Sequence, residues 1–293
     1  MRYETSNLAK GFAHSSALSG AERDAPPAQG LQLGDIVRGL RALGLNLGDV
    51  VLVHSSLSSL GYVQGGADTV IGALLEAVGA DGTVVVPTLT GSEALDVDHP
   101  PIYDPVATPC WTGRIPETFR QRTDVVRSLH PTHSVAAIGA RARELTAGHE
   151  HSLTPCGPDS PYARLAYTGG YILLLGVGHE VNTSYHLVEE IVGVPYHMQP
   201  GLVAAQVIEG GKARTIHLMI HRYGSPRAFG RLESALRERG IQRDGLIGQA
   251  HVRLIDAGRM VDLACQALRQ DIGILLASGP QAAGVSSSAI VRL

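Results

Sequence analysis

Residues 49–88 read DVVLVHSSLSSLGYVQGGADTVIGALLEAVGADGTVVVPT, and their pattern decides the fold class. Val50-Val51-Leu52-Val53 is a continuous apolar, β-branched run of the kind buried on both faces of a parallel sheet. Thr83-Val84-Val85-Val86 is a second such run, closed by Pro87. Between them Val70, Leu74, Leu75 and Val78 fall at helical spacing, and Asp68 or Thr69 stands where an N-cap belongs. Gly79-Ala80-Asp81-Gly82 supplies the exit turn. A strand, a crossover helix and a second strand predict a parallel βαβ unit.

The first strand reaches the helix through His54-Ser55-Ser56-Leu57-Ser58-Ser59-Leu60-Gly61, followed by Gly65-Gly66. A small, hydroxyl-rich loop between a strand's carboxyl end and a helix N-terminus is where α/β proteins hold phosphate-bearing ligands. The same composition also suits a turn whose hydroxyls satisfy nearby backbone groups, and the residues leave both readings open. The loop is neither a Walker A sequence nor a G-x-G-x-x-G.

Outward from this unit the chain stays α/β. Residues 31–43 predict a helix, 134–138 a strand and 140–146 a short helix; a further helix starts at Pro161. YILLLGV (171–177) predicts a third core strand, with Thr183 or Ser184 capping a helix over 185–192. Residues 202–208 and 213–220 predict a hairpin, 250–256 a strand, and 116–122, 229–239 and 260–274 helices. The expected fold is a central mixed, largely parallel sheet flanked by helices, with an antiparallel extension near the C-terminal third. Residues 1–30 read as a polar leader and 31–293 as one domain. Residues 88–116, rich in proline and carrying Tyr103, Trp111, Asp96, Asp98 and Asp104, form a long loop of the functional kind.

With 293 residues, 44% of them hydrophobic and 17% charged, the chain has the composition of a soluble globular protein. A formal charge of −3 argues against nucleic-acid or anionic-membrane surfaces as partners. No apolar run reaches membrane-span length, and the amino terminus lacks a secretory core, so the cytoplasm is expected. The three cysteines, Cys110, Cys156 and Cys265, are too few and too scattered for a disulfide framework.

Five segments occur in order: VLVHSSLSSLG (51–61), RSLHPTHSVAAIG (127–139), SPYARL (160–165), LLLGVGHEVNTSYHLVEE (173–190) and GLIGQAHVRLIDAGRMVD (245–262). Together they resemble the aminoglycoside N3-acetyltransferase family, over roughly residues 31–277. The resemblance implies acetyl-CoA as donor and, as acceptor, the 3-amino group of the 2-deoxystreptamine ring of an aminoglycoside antibiotic. Such a reaction confers resistance. No nucleic-acid or membrane partner is implied, and the expected state is a monomer or homodimer.

Acetyl transfer to an amine needs a base for the amine proton, a donor for the developing oxyanion, and two substrates held together. His186 lies just inside the helix after the YILLLGV strand, with Glu189 and Glu190 three and four residues on. From its residues alone this is also what a surface histidine on an acidic helix looks like. Its match to the family's T-x-x-H-x-x-E implies that His186 is the base and that Glu189 is its partner or an ammonium ligand. Likewise the RS-x-HP-x-x-S match implies that Ser128 and His130 line the cleft near the thioester.

Ser55, Ser56, Leu57, Ser58 and Ser59, with Ser128, are expected to hold coenzyme A. Tyr103, Asp104 and Glu190 are expected to meet the cationic acceptor. His54 is expected to bond within its turn. No trio of His, Cys or carboxylates has metal-ligand spacing along the chain, so no metal is expected. The segment around His221-Arg222-Tyr223-Gly224-Ser225 carries less acid than the resemblance suggests. That leaves room for another small amine as acceptor. A serine hydrolase, which would lack G-x-S-x-G, and a non-catalytic coenzyme A-binding module are the readings from other classes.

Overall fold

The structure is a computed structural model and describes residues 30–277. The expected leader therefore lies outside the described residues, Gly30 excepted. The chain begins with α1 (Leu33–Ala42), β1 (Val50–Ser55), α2 (Gly66–Val78) and β2 (Thr83–Pro87). It continues through β3 (Ile102–Tyr103), α3 (Arg114–Arg120), β4 (Val126–Arg127), β5 (Val135–Gly139), α4 (Ala142–Thr146), α5 (Pro161–Tyr167) and β6 (Tyr171–Leu175). The remainder is α6 (Ser184–Val192), β7 (Val203–Glu209), β8 (Lys212–Leu218), α7 (Glu233–Glu238), β9 (Gln242–Ile247), β10 (Ala250–Asp256) and α8 (Ala257–Gln270).

Seven strands form one mixed sheet in the order β4-β5-β2-β1-β6-β10-β9. The βαβ unit is present: β1 runs parallel to β2 and also to β6, with His54 opposite Leu174 and Ser55 opposite Leu175. Within this sheet parallel pairing is confined to these three central strands; the β3–β7 pair of the smaller sheet is parallel too. The sheet is antiparallel on both sides, through β5 and β4 on one edge and β10 and β9 on the other. The β7–β8 hairpin forms as expected, turning at Gly210 and Gly211 with φ of +57° and +76°. It does not extend the main sheet. It pairs instead with β3, in a separate three-stranded sheet that ties the long loop to the body.

Alternation along the central strands splits the core into two layers. Leu52, Val85, Ile172 and Leu174 face one way, against Tyr162, Leu165, Leu187, Met260 and Leu268 of α5, α6 and α8. Val51, Val53, Val84, Val86, Leu173 and Leu175 face the other, against Ile36, Leu40, Ile71, Leu74 and Phe119 of α1, α2 and α3. All these side chains are buried, and each contributes about 1.5–3 kcal/mol of transfer free energy. The sandwiching of the sheet fixes its central strands and the loops at their ends.

Several boundaries move for local reasons. α2 starts at Gly66 behind a left-handed Gly65, and the Thr69 hydroxyl donates to the Gln64 carbonyl instead of capping. α8 starts three residues early because the Asp256 carboxylate accepts from the Arg259 N–H. Among the described residues no helix is long and apolar enough to cross a membrane.

Candidate active site

The parallel strands β1, β2 and β6 end on one edge of the sheet, and their following loops converge there. A cavity of about 400 Å³ opens at this edge. Its wall includes His54 and Ser55 from β1, Pro87 from β2, Asn182 and Thr183 after β6, and His186 of α6. A second cavity, of about 580 Å³, lies beside it against Ser56, Leu57, Ser58, Tyr62, Gly66 and Arg114. Ser55 and Gly113 line both, so the two meet at a neck between these residues. Gly113 has a φ of +113°, and a Cβ there would stand 4.0 Å from the Ser55 carbonyl oxygen. A Cβ would have room there, so it is the backbone conformation that calls for glycine at this position.

His186 sits in the first turn of α6, half-buried, while Tyr185, Leu187, Val188 and Glu189 anchor the helix inward. Its Nδ1 lies 2.7 Å from Glu189 Oε2. Glu189 is fully buried and doubly held: Arg227 Nε donates to Oε1 at 2.7 Å, and His197 Nδ1 lies 3.2 Å from Oε2. Burial pushes this carboxyl up, but the His186 hydrogen bond and the charges of His186, His197 and Arg227 outweigh it and leave it below the usual value. An ionised Glu189 fixes the Nδ1–H tautomer of His186 and leaves the lone pair on Nε2. That nitrogen makes no hydrogen bond among the described residues, and the ring faces the cavity. The arrangement can accept a proton and stabilise the resulting imidazolium.

Behind His186 the fold lines up five further histidines, the first stacked on its ring and the others tilted or edge-on. Centroid separations run 4.9 Å to His197, 4.0 Å on to His221 and 4.2 Å to His133, then 6.3 Å to His130 and 4.6 Å to His149. Burial holds His130, His133 and His221 well below the ordinary histidine value, with neighbouring histidines adding to it. His149 is pushed down to about 3 by burial. Two trios, His186/His197/His221 and His133/Cys156/His221, bring potential ligand atoms within 4.8 Å of one another. The chain shows no metal-ligand spacing because these residues come from separate segments; in space the fold assembles two such groups among the described residues.

The expected site residues divide. His186, Ser55, Ser56, Leu57 and Ser58 line the cleft, and Glu189 pairs with His186 from behind its wall. Ser59 stands behind the wall, its hydroxyl donating to that of Ser56 at 2.9 Å. Ser128 and His130 are not on the wall. Ser128, 1% exposed, lies 2.9 Å from His149 Nδ1 and accepts from the Val135 N–H, so it is spent on the β4–β5 turn. His130 is fully buried, with Nδ1 accepting from the His133 N–H at 3.1 Å.

Tyr103 is also fully buried, its hydroxyl donating to the Ser128 carbonyl. Asp104 accepts from the Val106 and Ala107 N–H groups, closing a turn away from both cavities. Glu190 is turned into the protein. It lies 2.7 Å from His221 Nε2 and accepts from the Cys156 N–H, so it has no face left for an acceptor.

Residues outside the sequence reading also enter the site. Arg227 and His197 hold Glu189, Arg114 brings a cation to the larger cavity, and Gly113 forms the neck. None belongs to a local motif pointing at the cleft. His54 was expected to bond within its turn, yet its Nε2 is buried without a partner among the described residues.

Residues 52–269 match the family described as aminoglycoside 3-N-acetyltransferase. Aminoglycoside N(3)-acetyltransferase VII of Streptomyces paromomycinus is 36% identical over 265 residues, covering 81% of this chain and 91% of that one. The crystal structure of a histidine-to-alanine variant of the aminoglycoside acetyltransferase AAC(3)-IVa, in complex with a gentamicin, superimposes with a TM-score of 0.72. That chain is 30% identical, and the match covers 87% of this chain and 93% of that chain. AAC-IIIb in its binary complex with coenzyme A gives a TM-score of 0.69 at 26% identity, over 82% of this chain and 96% of that one.

Proposed function

The chain belongs to the aminoglycoside 3-N-acetyltransferase family, and on that footing we propose that it acetylates the 3-amino group of an aminoglycoside's 2-deoxystreptamine ring from acetyl-CoA, with His186 as general base. The transfer takes place in the cytoplasm and gives resistance to the antibiotic. Acetyl-CoA lies in the larger cavity, where Arg114, the loop of Ser55, Ser56, Leu57 and Ser58, and the start of α2 favour its phosphates. The thioester reaches through the neck at Ser55 and Gly113, and the amine sits in the smaller cavity beside His186. AAC-IIIb with coenzyme A and AAC(3)-IVa with a gentamicin support both substrate classes.

The amine nitrogen attacks the thioester carbonyl carbon as His186 Nε2 takes its proton. Glu189 holds the ring and offsets the imidazolium charge. The C–S bond then breaks, coenzyme A leaves as thiolate, and the proton on His186 returns to sulfur. The transfer so read uses no metal. The observation that carries it is His186 on the cavity wall, its Nδ1 paired at 2.7 Å with the buried Glu189 and its Nε2 without a hydrogen bond among the described residues.

One observation favours a second acceptor class. Glu180 is the single carboxylate on the smaller cavity's wall among the described residues, and Leu89, Trp111, Val177 and Phe229 make much of it apolar. A less cationic amine fits that lining better than a polycation does. Release of coenzyme A thiol from acetyl-CoA, with and without a panel of aminoglycosides and simple amines, tests both. Release only with aminoglycosides upholds the proposal, and release only with monoamines supports the second reading.

A further inference from the structure

His54 is the last inward-facing residue of β1 before the neck, held by pairing opposite Leu174 and 7% exposed. It lines the same cavity as His186, next to Ser55 at the junction with the coenzyme cavity. Its ring makes no hydrogen bond among the described residues, and the Ser55 hydroxyl beside it is likewise buried without a partner. A buried polar group left unpaired is destabilising, so an imidazole that the protein itself leaves unbonded at the meeting point of two cavities points to a ligand for the nitrogen that faces the cavity.

We propose that His54 is the hydrogen-bond donor that holds the thioester carbonyl oxygen as it becomes an oxyanion. The inference rests on the acetyl-transfer reading of this cleft and adds the group that reading leaves unassigned. The reacting carbonyl must pass from the cavity lined by Arg114 to the one lined by His186, and Ser55 and Gly113 bound that passage. A donor there faces the oxygen while His186 faces the amine.

Burial, then the neighbouring His179 and His186, push His54 down to about 3, so its imidazole is neutral and carries one N–H. Nε2 is the nitrogen buried without a partner, whereas Nδ1, which also makes no hydrogen bond among the described residues, is not one of the buried atoms and so meets the cavity that His54 lines. A sealed lone pair costs less than a sealed N–H, which puts the proton on Nδ1 and leaves that N–H for the substrate. When the amine attacks, the C=O π pair moves onto oxygen and the His54 N–H strengthens its bond to it. When the C–S bond breaks, that pair reforms the amide carbonyl. His54 gains and loses no proton, whereas His186 carries the amine proton to the departing sulfur.

Two readouts test this. In steady state, His54→Ala is expected to lower kcat by about 10²–10³-fold with little change in KM for acetyl-CoA, the usual effect of removing one oxyanion donor. His54→Asn, whose amide NH₂ can stand where Nδ1–H stands, is expected to recover much of that loss, and His54→Gln less. The acid limb of the pH–rate profile should not move, because His186 sets it.

The second readout needs no acceptor: the infrared carbonyl stretch of isotope-labelled acetyl-CoA bound to the protein. It is expected at lower frequency in wild type and His54→Asn than in His54→Ala. An unchanged stretch in a folded His54→Ala protein overturns the inference, as does kcat within about threefold of wild type. So does an activity loss that follows the melting temperature and is no better in His54→Asn. A wild-type protein that acetylates no aminoglycoside but shows the shifted stretch refutes the acceptor reading and upholds His54.

Discussion

Acidification should unfold this protein early, because its buried histidines are neutral in the folded chain and must charge when it opens. His54 and His149 are both held near 3 by burial, against 6.5 for an unperturbed histidine. Between those values the unfolded chain binds more protons than the folded one, so stability is complete above about pH 6.5 and falls as the pH drops toward 3. Each ring then contributes about 1.4 kcal/mol of destabilisation per pH unit, or about 2 kcal/mol by pH 5. The pair removes about 4 kcal/mol at pH 5, a large part of the 5–15 kcal/mol a folded domain commands. His130, His133 and His221, lowered by the same burial, act in the same direction. Circular-dichroism melts at constant ionic strength should show a loss of about 10 °C or more between pH 7.5 and pH 5. His149→Gln should be weaker at neutral pH but flatten the slope by about one proton. Melting temperatures unchanged over that window would refute the burial of neutral imidazoles on which this rests.

Other perturbations address single contacts. Arg227→Met leaves the fully buried Glu189 without its cation and is expected to destabilise by about 3–5 kcal/mol, read as a melting loss of about 10 °C; a loss below about 2 °C would count against the pairing. Arg114→Ala is expected to raise KM for acetyl-CoA about tenfold while leaving the acceptor constant alone, and an unchanged value would move the phosphates elsewhere. Gly113→Val places a β-branched side chain at φ +113° and closes the neck, so it should weaken coenzyme A binding in calorimetry; wild-type affinity would show that the two cavities do not communicate there.

The central unit was legible because burial on both faces turns β1, β2 and β6 into continuous apolar runs, and α2 repeats with a 3.6-residue period. β9 was not, since QRDGLI is an edge strand buried only at its two ends and carries Gly245 between charged and apolar neighbours. The hairpin was visible in its turn glycines, but its choice of β3 over the main sheet depends on a two-residue strand with no pattern of its own.

At the site, His186 and Glu189 share one helix face, so their pairing follows from spacing. Glu190 shares that spacing yet points to His221, because a partner 31 residues away decides its rotamer. The same holds for Ser128 and His130, claimed by His149 and by a local turn, and for the histidine column, whose members come from five stretches of chain. Motifs disclose chemistry when the partners are local, and this site's second layer is not.

The most direct test of His186 as base is the pH–rate profile of His186→Ala, measured by thiol release alongside its melting temperature. General-base catalysis predicts a folded protein that binds acetyl-CoA nearly as wild type does, turns over about 10²–10⁴-fold more slowly, and has lost the acid limb of the profile. Glu189→Gln should retain that limb with a smaller loss, since it disturbs only the ring's orientation and charge balance. A folded His186→Ala protein that keeps the limb and turns over near the wild-type rate would contradict the account and take the proton from another group.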